Sequence, residues 1–282
     1  MTLNAMNDKV CLVSGATSGI GYASCVALAA QGARVIMLCR DQFRGAKARQ
    51  AIIQRTGAAQ IELVTADLSA LAEVRRAAVE INQRFARLDV VVHCAGALFY
   101  RRQLTVDALE SNLMVNYLSG FLLIRELSEL LRQSAPARVV IVSGEYHRRA
   151  RIDFDDLQGE RHYSPLRAAA QATLAKAVFS VELARRWADC GITANCFHPG
   201  IVRSGLTRGL PWYLRLAVKT VEPFLASPER GARTSVFLAS SPKIGGVTGS
   251  YFIDCRAVRP AAAVNDPRLA ERLWRVSEAL VA

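Results

Sequence analysis

No Cys-x-x-Cys pair occurs in the 282 residues, and no apolar run is long enough to span a bilayer. The seven cysteines (Cys11, Cys25, Cys39, Cys94, Cys190, Cys196, Cys255) are odd in number and widely scattered. That pattern excludes a disulfide framework and a thiolate metal site, and it predicts buried, reduced thiols in a cytoplasmic protein. The opening MTLNAMNDKV has no apolar run ahead of the first strand, so no signal peptide is expected. Low-complexity linkers and internal repeats are also missing. One domain over residues 1–282 is therefore expected, a size that sheets covered by helices on both faces often reach.

Carboxylates are in deficit, with 24 Asp and Glu against 36 Lys and Arg and a formal net charge of +12. Such a field gathers anionic partners. Yet the arginines stand in short groups along polar helix faces (Arg75-Arg76, Arg101-Arg102, Arg148-Arg149, Arg185-Arg186), with no aromatic-interleaved basic stripe on which bases stack. They read as solvated faces, and an anionic cofactor accounts for part of the excess. No nucleic-acid partner is expected.

What the chain has in quantity is apolar surface, 51% of its residues, patterned as short β-branched runs alternating with longer segments of helical period. Strands are predicted at Lys9–Ser14, Arg34–Cys39, Gln60–Thr65, Leu88–His93, Ala137–Ser143, Thr193–Phe197 and Gly249–Asp254. Helical patterns include Gly19–Gln31, Ala70–Phe85, Ser111–Leu131 and Leu166–Cys190. Strand interiors such as Val90-Val91-Val92 are continuously apolar, as strands covered on both faces must be. The fold class is thus α/β, a doubly wound parallel sheet, and ligands of such sheets bind at the carboxyl ends of the strands. The segment 204–227, with Pro211-Trp212-Tyr213 and little strand signal, reads as a helical lid over that edge.

The first strand runs into Ser14-Gly15-Ala16-Thr17-Ser18-Gly19-Ile20-Gly21 and then a helix. Glycines at 15, 19 and 21 permit a tight turn, a close approach of backbone to a pyrophosphate and close helix–strand packing, while the helix N-terminus supplies N–H donors. The turn with its context is read as a dinucleotide site holding Gly15, Thr17, Ser18, Gly19, Ile20 and Gly21. The second strand ends in Cys39-Arg40-Asp41, where selection of NAD favours a carboxylate for the ribose hydroxyl. Arg40, with Arg44 a turn further on, favours a 2′-phosphate instead, so the cofactor expected is NADP or NADPH. The plainer reading of Arg44 is a solvent-facing side chain.

With these residues in view, the chain resembles the short-chain dehydrogenase/reductase superfamily of Rossmann proteins, and its retinol-dehydrogenase-like branch in particular, over nearly its whole length. Ala66-Asp67-Leu68 resembles the family's adenine-ring segment, which implies cofactor contacts at Asp67 and Leu68. Cys94-Ala95-Gly96 resembles the end of the family's Asn-Asn-Ala-Gly turn, with His93 in its first position. Asn116 lies where the active-site asparagine is found, and His198-Pro199-Gly200-Ile201-Val202-Arg203 resembles the segment beside the nicotinamide, which implies Pro199, Gly200 and Val202 there. Tyr251-Phe252-Ile253-Asp254-Cys255 and Leu273-Trp274 are similar to the tail of that branch. The resemblance also implies a homo-oligomer and a small-molecule substrate.

The match breaks at the catalytic set. The family's serine follows the fifth strand as the second of a Ser-Ser pair, but here the strand ends Val142-Ser143-Gly144. The next helix normally carries Tyr-x-x-x-Lys, and the surviving pattern from Ala168 to Phe179 sets Ala169 at the tyrosine and Thr173 at the lysine. Hydride transfer to a ketone creates an alkoxide that needs those donors, whereas hydride transfer to an iminium carbon neutralises a cation and leaves no anion to protonate. A hemiaminal reaches the same ion by losing water. The expected activity is an NADPH-dependent reduction of such a pre-activated carbon, in an antibiotic or other natural product or amine, serving biosynthesis, detoxification or self-protection. The alternatives are a non-redox cyclase, dehydratase or isomerase, and a catalytically silent NADP-binding protein.

Replacement groups are sought on the loop after Gly144, where Tyr146 and His147 are candidates to assist loss of a hydroxyl and Glu145 to stabilise a cation. His and Tyr on such loops also serve packing alone. Asp155 and Asp156 read as ordinary loop residues. Tyr163 precedes the active-site helix, and Lys176 lies at i+3 from Thr173, though neither reaches the vacated positions by sequence spacing alone. Thr173 is expected to retain a hydrogen bond to the cofactor ribose but not the lysine's charge. No metal is expected.

Overall fold

The computed structural model describes residues 5–203 and 225–282. Seven strands run parallel: β1 (Val10–Ser14), β2 (Arg34–Cys39), β3 (Ile61–Thr65), β4 (Val90–His93), β5 (Ala137–Val142), β6 (Ile192–His198) and β7 (Tyr251–Ile253). Their order is β3-β2-β1-β4-β5-β6-β7, closed by β8 (Arg256–Val258), which pairs antiparallel with β7. The chain leaves β1 in one direction for β2 and β3 and returns past it to β4, so β1 and β4 are neighbours across the switch point. Their carboxyl ends diverge into the crevice where doubly wound sheets take ligands.

The helices cover both faces. One core joins β1, β2 and β4 to α1 (Gly19–Ala29), α2 (Gln42–Thr56) and the helix Pro228–Ser240, here α8. The other packs α3 (Leu71–Arg84), α4 (Ser111–Leu113) with α5 (Ser119–Glu126), α6 (Ser128–Gln133), α7 (Pro165–Arg186) and the helix Pro267–Leu280, here α9, on the opposite face. Local chemistry sets the helix ends. Asp41 caps α2 by accepting the Arg44 N–H at 2.8 Å, Gly57 ends it at φ +70°, and Pro165 opens α7 where its missing N–H costs nothing.

The strand and helix pattern of the sequence is recovered within a few residues at each end. Three differences have physical causes. The stretch expected as one helix over 111–131 is broken by a π turn at Met114–Leu118 and again at Leu127, because periodicity does not register a single added residue per turn. The edge strand β8 was not expected, since three residues with two exposed carry no apolar pattern. Of the expected helical lid, 204–224 lies outside the described residues. The described part, 225–227, is not helical: Ala226 bridges to Val202, and Ser227 caps α8 by accepting the Arg230 N–H. Among the described residues no helix is long and apolar enough to cross a membrane.

Candidate active site

The glycine turn has the geometry that the crevice requires. Gly15 (φ +67°) and Gly19 (φ +57°) adopt left-handed backbone, and a Cβ on Gly15 would press the Ala95 backbone at 3.0 Å. One on Gly21 would fall onto the Gly15 carbonyl oxygen. Ser18 stands at the N-cap of α1 but makes no side-chain capping bond, and the first turn carries no acid. Its N–H groups and dipole therefore keep their capacity for an anion. Thr17, Ser18 and Ile20 are all half-buried along the same turn.

Ser14 ties this turn to the one after β4. Its Oγ accepts the N–H groups of Cys94 and Ala95, each at 3.1 Å, and so spends its own proton on His93 Nδ1 at 2.9 Å. His93 is thereby fixed as the neutral Nε2–H tautomer, and burial pushes its pKa down to about 3. Its Nε2 abuts Gly120 without a hydrogen-bond partner among the described residues. Sequence reasoning took Ser14 only as the start of a turn, and nothing in the sequence pairs it with His93, 79 positions on.

At the outer edge, Arg40 and Arg44 are exposed, and the carboxylate between them, Asp41, is turned to the Arg44 backbone. Asp67 accepts from the Ser69 N–H and hydroxyl at 2.9 and 2.8 Å, which shapes the loop after β3 next to buried Leu68. Asn116 sits inside the π turn and clamps the loop after Gly96, its Oδ1 accepting the Ala97 N–H at 2.8 Å and its Nδ2 donating to the Ala97 carbonyl at 2.9 Å. Asn112 supports it, and Tyr163 supports Asn112 by accepting its Nδ2 at 2.7 Å while donating to the Phe99 carbonyl at 2.9 Å. Tyr163 is thus built into this network rather than free to turn inwards. Beyond β6, Gly200 has φ +80° after Pro199, and Val202 packs so closely on Gly231 that a Cβ there would meet it at 2.6 Å.

Of the three positions where the resemblance puts a catalytic donor, Gly144 and Thr173 meet. Gly144 is extended (φ −170°), and a Cβ placed on it would meet the Thr173 methyl at 3.4 Å. Thr173 Oγ1 donates to the Ala169 carbonyl at 2.8 Å, and Ser143 Oγ donates to the Thr173 carbonyl at 3.0 Å. The hydroxyl protons of Thr173 and Ser143 both go to the α7 backbone. Where they meet, Gly144 offers an α-carbon and Thr173 a methyl group.

The candidate replacements are placed differently from one another. His147 is fully buried, donates from Nδ1 to the Gly144 carbonyl at 2.8 Å, accepts the Ala261 N–H at Nε2 at 3.3 Å, and lies on the Tyr251 ring at 4.5 Å between centroids. Both ring nitrogens are occupied, and burial holds its pKa below the usual histidine range. His147 latches the loop to the C-terminal segment. Tyr146 is 69% exposed and unencumbered at the mouth, while Glu145 pairs with Arg148 at 2.5 Å. Asp156 accepts the N–H groups of Glu160, Arg161 and His162, which accounts for it as a loop residue. Among the described residues no group of three His, Cys, Asp or Glu side chains is gathered as a metal requires.

The comparisons with known proteins agree with this geometry. Residues 9–211 match the family described as short chain dehydrogenase. Retinol dehydrogenase 14 of Mus musculus is 38% identical over 289 residues, covering 98% of this chain and 86% of that protein. A protein of Streptomyces sp. (strain C5) named for daunorubicin C-13 ketoreduction is 38% identical over 276 residues, covering 97% of this chain and 92% of its own. A crystal structure from Mycobacterium Paratuberculosis superposes with a TM-score of 0.79 at 29% identity, over 99% of this chain and 95% of that one. The chain is a member of the short-chain dehydrogenase family, in the branch that contains the retinol dehydrogenases.

Proposed function

We propose that this chain is an NADPH-dependent reductase acting on a pre-activated, cationic carbon, an iminium ion or the hemiaminal that yields one when its hydroxyl takes up a proton and leaves as water. The observation that carries the reading is the apolar floor formed by Gly144, Ala169 and Thr173, whose hydroxyl proton is committed to the Ala169 carbonyl. A carbonyl reductase polarises oxygen and protonates an alkoxide, and removal of such donors costs several kcal/mol of transition-state stabilisation. An iminium carbon makes neither demand. Its reaction is governed by orientation against the cofactor.

The turn at Gly15–Gly21 and the open first turn of α1 fit a pyrophosphate, and the exposed guanidinium groups of Arg40 and Arg44 fit a 2′-phosphate. Asp67 and Leu68 would line the adenine end, and Cys94, Ala95, Gly96, Thr173, Pro199, Gly200 and Val202 the nicotinamide half. Bound NADPH supplies the hydride. The protein holds both partners in register, with Asn116 fixing the loop at Ala97 and His147 fixing the loop at Gly144. Tyr146, exposed on the loop after Gly144, is a side chain available to assist departure of a hemiaminal hydroxyl. The names of the relatives point to alcohol and ketone chemistry, and the empty positions 144, 169 and 173 are what separate this chain from it.

A screen of NADPH oxidation against cyclic imines, hemiaminals, ketones and aldehydes tests the proposal. Turnover of imines or hemiaminals with ketones inert is expected. Efficient ketone reduction, or conversion without cofactor oxidation, would remove it.

A further inference from the structure

The chain contains five lysines, Lys9, Lys47, Lys176, Lys219 and Lys243, and four of them are described. Lys47 and Lys243 are exposed, and Lys9 pairs with Asp89 at 2.9 Å. Lys176 differs. It stands half-buried on α7 between buried Ala175 and Ala177, and it makes no ion pair with a carboxylate among the described residues. The titratable groups whose charge it senses are His93 and Cys94 at the carboxyl end of β4 and Cys196 in β6. Each of these is neutral: burial lowers His93 to about 3 and raises Cys94 and Cys196 to about 12. Burial also brings the Lys176 ammonium down to about 8. An amine so placed is partly withdrawn from water, with no anion among the described residues to compensate it.

Helix geometry says where it reaches. Side chains of an α-helix lean towards its N-terminus, and α7 enters from the carboxyl ends of the strands, so Lys176 leans back towards the turn of Thr173 and the crevice. Three residues of rise are about 4.5 Å, which a four-carbon stem spans. Thr173 is short, and its methyl faces Gly144. The space that a longer side chain at 173 would fill therefore lies open to a lysine approaching from the next turn.

We propose that Lys176 supplies the site's cation from one turn further along α7, donating to the ribose hydroxyls of the nicotinamide half of the cofactor beside the turn at Cys94. This rests on the reading of the crevice as a nicotinamide dinucleotide site. It gives the uncompensated amine a partner in the loaded protein, and it makes Lys176 a cofactor-positioning residue for which Thr173 has neither the length nor the charge.

The test uses the whole chain reductively methylated with 13C-formaldehyde, in which five lysines give few and assignable dimethylamine resonances, together with calorimetric titration of NADPH into the unaltered protein and the Lys176→Met and Lys176→Gln variants. The Lys176 resonance is identified by its loss in the variants. It should titrate near pH 8 in the free protein, move on addition of NADPH, and titrate at higher pH once the amine has an acceptor. Each variant that retains a cooperative thermal transition should bind NADPH and NADH about tenfold more weakly, to the same degree for both, because the ribose is common to them. The N-terminal α-amine, which also titrates at about pH 8, is told from it because its resonance persists in both variants. A resonance unmoved by NADPH that binds the unaltered protein overturns the assignment, as does unchanged affinity in a folded variant. Failure of the unaltered protein to bind either nucleotide removes the cofactor reading first, and the assignment with it.

Discussion

Gly144 and Thr173 face each other across the carboxyl end of β5, with room for a Cβ on the glycine at 3.4 Å from the threonine methyl. They come from a strand end and a helix 29 positions apart, and they are two of the three places where the family resemblance puts a catalytic donor. Because Gly144 is extended, Gly144→Ser is expected to be accommodated with a stability change within about 0.5 kcal/mol. The triple replacement Gly144→Ser, Ala169→Tyr and Thr173→Lys should not raise the rate on an imine, since its donors serve an alkoxide that never forms. Thermal unfolding and single-turnover rates check both statements. A large gain on the native substrate would identify a damaged ketone reductase.

Under the proposed function, Arg40 carries the cofactor preference. With Asp41 turned to the α2 backbone, the guanidinium at the β2 end has no carboxylate among the described residues drawing it from a 2′-phosphate. Arg40→Ala should weaken NADPH by about 1–3 kcal/mol and leave NADH unchanged, and Arg44→Ala should do so to a smaller extent. Calorimetric titration of both nucleotides measures it. Equal losses for the two would mean that Arg40 supports the turn rather than the phosphate.

Gly21 is the least replaceable position of the turn. An added Cβ meets backbone, which cannot swing aside as a side chain does, so Gly21→Ala should cost roughly 1–3 kcal/mol in stability and abolish nucleotide binding at micromolar concentrations. Gly200→Ala makes a useful contrast. Nothing stands near its Cβ, and the penalty there comes from φ +80° alone. Similar losses in both variants would argue against close packing as the reason for the glycine at 21.

Two buried histidines set the acid limit. His93 titrates near 3 when folded and near 6.5 in an unfolded chain, so the unfolded state takes up a proton first and stability falls as pH drops through about 6.5. His147, also lowered by burial, acts with the same sign. Asp89 and Glu182, both lowered, add their loss only further down, through the carboxylate range. The midpoint of thermal unfolding should therefore decline steadily between pH 7 and 5, and His93→Asn should flatten that decline. Parallel curves for the variant and the unaltered chain would show that His93 is not what is being protonated.

The doubly wound sheet and its glycine turn were legible in the sequence because both are local: alternating periodicity marks the strands, and glycine spacing marks the phosphate end. The register that sets Gly144, Ala169 and Thr173 against the family's donors rests on the resemblance, through a pattern from Ala168 to Phe179 that runs without gaps. The joint between Ser14 and His93 was not legible, because it depends on strand order. Nor was the role of His147, whose partners Gly144 and Ala261 lie 3 and 114 positions away. A histidine on a loop at the carboxyl end of a strand reads as chemistry until its second nitrogen is seen to be taken.

The hydride itself provides the most direct check on the proposed chemistry. If NADPH deuterated at the transferring position is used, one deuteron should appear in the product on the carbon bonded to nitrogen, where the iminium centre or the hemiaminal hydroxyl had been. The turn at Gly15–Gly21 and the clamp of Asn116 on Ala97 favour a nicotinamide held beside β4 and β5. Gly144, Ala169 and Thr173 place no proton donor against a carbonyl oxygen there, since the hydroxyl protons of Ser143 and Thr173 go to α7 carbonyls. Capture of hydride by a carbon that is already cationic is the redox step compatible with both facts, and it conserves charge without a proton from the protein. Mass spectrometry of the product decides it. Label found on a carbon bearing oxygen would return the enzyme to carbonyl chemistry despite its missing donors, and product formed without label would make the reaction non-redox.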